Sequence, residues 1–121
     1  MKHNFKNLKI WNLAMDIALD VHKVTLEFPK HELYGLSNQI NRASVSMASN
    51  IAEGSNRGNR YFLHYLNISL GSSFEVQTQI LIAQQNNYID NNQAKTIEDK
   101  LDEFQKMMTG FINKLEKTNQ V

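Results

Sequence analysis

Apolar residues return at intervals of three and four over long stretches of the chain, and little interrupts them. One Pro and five Gly in 121 residues leave few places for turns, so the pattern predicts an all-α protein. In the first stretch Trp11, Met15, Ala18, His22, Thr25 and Phe28 keep the helical interval, with Leu8, Ala14, Ile17 and Val21 widening the stripe. Pro29 stops this helix, because the residue before a proline is pushed away from helical angles. Gly35 closes the linking turn. Leu36, Ile40, Ala43, Met47 and Ile51 then recur as far as Gly54, where GSNRGN supplies the next corner, so a second helix is expected over about residues 34–56.

A longer third pattern sets Phe62, Leu66, Ser69, Ser73, Val76, Ile80 and Ala83 on one face and should fray near Asn86 to Tyr88. Asp90, with Gln93 three residues on, has the form of a capping box, in which each side chain bonds the other residue's backbone N–H. The fourth helix starts there and is expected to bury Ala94, Ile97, Leu101, Phe104, Met108, Phe111 and Leu115. Four helices of about 20 to 27 residues with short connections predict an antiparallel up-down-up-down four-helix bundle. It is read as one domain over 1–121, ordered from about 7 to 117, with mobile ends at 1–6 and 118–121.

Composition narrows the chemistry mainly by exclusion. The absence of Cys excludes disulfides, thiolate metal sites and a cysteine nucleophile. The longest aliphatic run, Ile80 to Ala83, is far short of the roughly 20 residues of a membrane span, and the start MKHNFKNLKIW lacks a signal-peptide core. The expectation is a cytoplasmic protein without a membrane partner. His3, His22, His31 and His64 include no i,i+4 pair, and no Glu-x-x-His occurs, so no metal site is expected. Gly35-x-Ser37 and Gly71-x-Ser73 lack the second Gly of a nucleophile elbow, and Gly54 to Gly58 is not followed by the Lys-Ser/Thr of a phosphate loop. Asp16 with Asp20 and Asp99 with Glu103 read as solvated faces, and His22 as a satisfied core histidine. No catalytic residue, cofactor or enzymatic activity is expected.

The second and third helices are unusual. Residues 36–56 carry only Arg42 and Glu53 as charges, with Ser37, Ser44, Ser46, Ser49, Asn38, Asn41 and Asn50 around them. The third helix has Ser69, Gly71, Ser72 and Ser73 at mid-length, where a glycine costs about 1 kcal/mol relative to alanine unless close packing offsets it. Both helices read as covered on more than one side, either by close packing within the chain or by other subunits. Arg42, Ser46 and Asn50 follow at i, i+4 and i+8, and Asn50, Glu53 and Arg57 at i, i+3 and i+7, which predicts one ladder of polar groups.

The segments Trp11 with Ala14-Met15, Phe28-Pro29, YGLSNQINRASVSMASNIAEGSNRG and FLHYLNISLGSSFEVQTQILIA resemble the 23S rRNA intervening-sequence proteins, over about residues 5 to 115. NIAEG followed by Arg57, and the run through Gly71, Ser72, Glu75, Thr78 and Gln79, are its most specific parts. The resemblance implies an antiparallel four-helix bundle assembled as a pentameric ring, with no established enzymatic activity. It also implies a relation to the accessory variability proteins of diversity-generating retroelements, which are pentameric and engage nucleic acid through a basic surface. Asn41 and Gln77 depart from the family pattern, which has a second Arg and an acidic residue there. Arg42, Ser46, Asn50, Glu53, Arg57, Glu75 and Gln79 match family positions, and the role assigned to them is a structural polar network within and between subunits.

Thirteen Lys+Arg against twelve Asp+Glu give a net charge of +1, but the expected topology divides it unevenly. Lys2, Lys6, Lys9, Arg57, Arg60, Lys114 and Lys117 fall at one pole with Glu53 and Glu116, a balance of +5; the opposite pole carries −3. A ring would repeat the basic pole into a rim able to attract RNA or DNA phosphates with little base specificity, with Lys6, Lys9, Arg57 and Arg60 as the candidate contacts. Tyr61, Phe62 and His64 lie nearby as stacking candidates, although Phe62 also fits the core. The same lysines also serve helix dipoles and solubility. The competing expectation is a homopentameric scaffold that docks a protein partner and has no nucleic-acid role.

Overall fold

The computed structural model describes residues 3–119, with the backbone only at Asn119. The described residues are all-α: α1 (Lys9–Thr25), α2 (Leu36–Ser55), α3 (Asn59–Gln85) and α4 (Asn91–Asn119), with 3₁₀ turns at Phe5–Asn7 and Lys30–Glu32. Each helix packs on two others: α1 and α3 both contact α2 and α4. One apolar core draws on all four, with Ile17, Ile40, Met47, Ile51, Phe62, Leu66, Ile80, Leu101, Phe104 and Met108 withdrawn from solvent.

Local chemistry sets the helix boundaries. Ahead of Pro29 the chain tightens, with Leu26, Glu27 and Phe28 N–H groups donating three residues back to Lys23, Val24 and Thr25, so α1 ends at Thr25 rather than Phe28. The Glu32 carboxylate accepts the Leu36 N–H at 3.2 Å and the Tyr88 hydroxyl at 2.9 Å, joining the start of α2 to the α3–α4 connection. Both bonds, the backbone one first, hold the Glu32 carboxyl below its ordinary range. The capping box at α4 forms as expected: Gln93 N–H donates to Asp90 Oδ1 at 2.7 Å, and Asp90 N–H to Gln93 Oε1 at 2.9 Å.

The stripes expected for α2 and α3 are the buried faces, apart from a partly buried Leu36. On α4 the last turns bury Ile112, leaving Phe111 half-buried. The stripe of α1 is turned by about one residue from expectation: Ile10, Ala14, Ile17, Val21 and Val24 face the core. Met15 is 36% exposed, and His22 stands on the surface with Nδ1 2.7 Å from the Ala18 carbonyl oxygen, not in the core. Trp11 instead packs edge-on against Phe5, ring centroids 5.2 Å apart.

The serines of α2 and α3 keep those helices close. Ser69 Oγ donates across to the Met47 carbonyl oxygen at 2.7 Å, and Ser46 and Ser72 hydroxyls meet at 2.9 Å. At Gly54 a Cβ would lie 2.8 Å from Tyr65 Cβ, so the contact admits no larger residue without movement. At Gly71 close packing within the chain is not found, since nothing among the described residues lies within 4 Å of a Cβ placed there.

The start of the chain is anchored rather than loose from His3 onward. His3 N–H donates to the Ser55 carbonyl oxygen at 2.9 Å, and its ring packs against Phe62 and Phe111. Asn4 Oδ1 caps the turn that carries Lys6. The outermost parts of the ends expected to be mobile, residues 1–2 and 120–121, lie outside the described residues, and so does Lys2 of the basic pole.

Candidate functional site

Two regions gather the residues singled out in the sequence. The first is an open groove of about 330 Å³ between α2 and α3, lined by Arg42, Ser46, Glu75 and Gln79 together with Asn38, Gln39, Ala43 and Ser72. Asn50 Nδ2 donates to the Ser46 carbonyl oxygen at 2.8 Å and to Ser46 Oγ at 2.9 Å, and Ser46 in turn meets Ser72. Arg42 and Glu75 line the same groove without an ion pair or side-chain hydrogen bond among the described residues, and Gln79 Oε1 is buried with no partner. This is a polar surface with unused hydrogen-bonding capacity and no nucleophile and base in contact.

The ladder expected through Asn50, Glu53 and Arg57 divides in two. Asn50 turns back to Ser46, while Arg57, beyond the end of α2, donates to Glu53 Oε1 at 2.9 Å and lies 5.2 Å from the centre of the Tyr65 ring. The Glu53 hydrogen bond first, and then Tyr65, hold the Arg57 guanidinium above its ordinary value. Both members of the ion pair are exposed, so the pair contributes little stability.

The second region is the basic end. His3 ties the first residues to the end of α2, and the Phe62–Phe111 contact, centroids 5.8 Å apart, brings the late part of α4 to the start of α3. Lys6, Lys9, Arg57 and Arg60 are all exposed. Lys9 lines a groove of about 410 Å³ with Lys106 and Lys114, floored by Ile10, Met107 and Phe111. Lys106 was not a candidate from sequence, because only the packing of α4 on α1 brings it beside Lys9. Tyr61 and His64 are exposed, whereas Phe62 is wholly buried in the core and unavailable for stacking. At the opposite end Gln93 Nε2 donates to Glu27 Oε2 at 2.6 Å, close to Glu32 and Asp90, where acidic groups predominate.

Among the described residues, no group of three His, Asp or Glu side chains is placed to hold a metal ion, and no helix is long and apolar enough to cross a membrane. A profile of the 23S rRNA-intervening sequence protein family matches residues 6–110. The chain is also similar to a solved structure from Bacteroides thetaiotaomicron VPI-5482, a protein with unknown function from the S23 ribosomal protein family. The TM-score is 0.78 at 21% identity, over 86% of this chain and 95% of that one, a likeness of fold. Comparison with curated proteins finds no match.

Proposed function

The chain belongs to the 23S rRNA-intervening sequence protein family, and on that premise we propose that it is a non-enzymatic, self-associating four-helix bundle whose basic end binds nucleic acid weakly and with little regard to sequence. The helices are taken to run up, down, up and down. The pairing of Asp20 with Lys100 and Glu27 with Gln93 supports opposed directions for α1 and α4, and that of Ser46 with Ser72 and Met47 with Ser69 does so for α2 and α3.

The observation that carries self-association is the contrast between two surfaces. α4 exposes Lys95, Asp99, Asp102, Glu103, Lys106 and Lys114, as a solvated helix does. The exposed sides of α2 and α3 instead carry few charges and present Val45, Ile68, Phe74 at 51%, Leu81 and Ile82, with Gly71 among them. Exposed apolar side chains on two helices packed side by side, where charges are few, support the reading of a contact surface. A homopentameric ring of the kind implied by the family resemblance would cover this surface and give Arg42, Glu75 and Gln79 partners from the neighbouring copy. It would also align five basic ends into a rim where phosphates are attracted by counterion release.

Charge reversal of Lys6, Lys9, Arg57 and Arg60 together is the test of nucleic-acid binding. RNA retained at low salt by the native chain should be lost by the variant, and retention should fall steeply as salt is raised. Unchanged retention refutes the basic-end reading. The second reading, a protein-interaction scaffold without a nucleic-acid role, draws on the unpartnered polar groups of the α2–α3 groove. Partner binding that is insensitive to salt would favour it.

A further inference from the structure

At the basic end the segment before α1, the first turn of α3 and the last turns of α4 enclose a cavity of about 250 Å³. Its lining is mostly apolar, from Phe111, Leu115 and the stem of Lys114, with Thr118 beside them, yet two buried polar atoms in its walls, His3 Nε2 and Asn59 Oδ1, have no hydrogen-bond partner among the described residues. Buried polar atoms are nearly always paired, so two without a partner in a single cavity leave hydrogen-bonding positions that an occupant can fill. Asn59 Oδ1 requires a donor. His3 Nε2 takes a donor or an acceptor according to tautomer, and burial, the larger cause, holds this imidazole below its ordinary pKa and hence neutral near pH 7. The rings of His3 and Phe111, centroids 6.0 Å apart, supply aromatic surface, and Lys114 supplies a positive charge.

A flat heterocycle with hydrogen-bonding groups along one edge and an attached anion meets all of these requirements. The volume is below the roughly 300–1,000 Å³ of pockets for drug-sized ligands, which suits one ring system and no more. We propose that this cavity receives the base of a single unpaired nucleotide, with its phosphate held by Lys114. Phe111 and Lys114 also line the neighbouring groove with Lys9 and Lys106, so the adjoining phosphates of a strand would continue along that groove. The proposal rests on the nucleic-acid reading of the basic end and gives it a specific contact.

The test is a titration of the ¹⁵N-labelled full chain, followed by NMR, with uridine and adenosine 5′-monophosphates and with ribose 5-phosphate as the base-free control. The nucleotides should shift His3, Asn59, Phe111 and Thr118, and ribose 5-phosphate should not. Asn59→Leu, which replaces the unpaired amide by an apolar side chain of similar size, should weaken nucleotide binding about tenfold. Lys114→Gln, a change at an exposed position, provides a second variant should Asn59→Leu fail to fold, and it should weaken the nucleotides as well. Equal shifts from ribose 5-phosphate, or unaltered affinity in a folded variant, overturn the proposal. Single-stranded RNA that binds while both nucleotides leave these residues unmoved overturns the cavity and keeps the basic end. Loss of both kinds of binding removes the two together.

Discussion

Replacing Gly54 by alanine would put a Cβ 2.8 Å from Tyr65 Cβ and 2.9 Å from Phe62 Cδ1. Neither neighbour yields easily: Tyr65 Cβ is fixed to the α3 backbone, and the Phe62 ring is fully buried. α2 and α3 must therefore part locally, and overpacking of this kind costs about 1–3 kcal/mol. Alanine returns about 1 kcal/mol of helix propensity, leaving a net loss of about 1 kcal/mol. At this chain length that lowers the thermal midpoint by about 4 °C. Gly71→Ala is the matched control, since nothing among the described residues lies within 4 Å of its added Cβ. It gains about 1 kcal/mol of helix propensity in a free chain, but places a methyl group in the contact if another copy covers that face. Thermal unfolding by circular dichroism at fixed protein concentration, with light scattering on the same samples, separates the two effects. Gly54→Ala at least as stable as the native chain would refute the close α2–α3 approach.

Other perturbations test the ends of the helices. The Glu32 carboxyl is held below its ordinary value of 4.5 by the Leu36 N–H and Tyr88 hydroxyl, so its contribution to stability is complete above that value. That contribution is lost as pH falls through the lower folded-state value, where the unfolded chain binds the proton more readily. Glu32→Gln should flatten this part of the acid dependence in chemical unfolding followed across about pH 6 to 3; an unchanged slope contradicts the assignment. Asp90→Ala removes the oxygen that accepts the Gln93 N–H and should cost about 1 kcal/mol in the same unfolding assay. A loss below a few tenths of a kcal/mol would show that the capping box contributes nothing.

The buried faces of α2, α3 and α4 were legible because their core residues hold one helical phase over the length of each helix, even though α3 also exposes Ile68, Phe74, Leu81 and Ile82. α1 was not, because Trp11, Leu13, Met15, Leu19 and Leu26 spread apolar groups around most of its circumference. Periodicity then fits several phases equally, and only packing selects the one through Ile17 and Val21. In the candidate sites, helical spacing correctly joined Ser46 to Asn50, and resemblance brought in Glu75 and Gln79, which line the same groove as Arg42. The predicted ladder broke between Asn50 and Glu53, since the Asn50 amide turns back to Ser46, whereas Arg57 reaches Glu53 although α2 ends at Ser55. Lys106 beside Lys9, and His3 beside Asn59 in one cavity, are tertiary contacts between distant segments that no local spacing encodes.

Self-association through the weakly charged faces of α2 and α3 is the claim on which the proposed function depends most. Light scattering after size exclusion, at low and high salt, measures it directly on protein checked by absorbance for bound nucleic acid. The account predicts a particle of five times 14.0 kDa that persists in high salt, because its contacts are apolar and close rather than ionic, with nucleic acid released as salt rises. A 14.0 kDa monomer at both salt concentrations would contradict it.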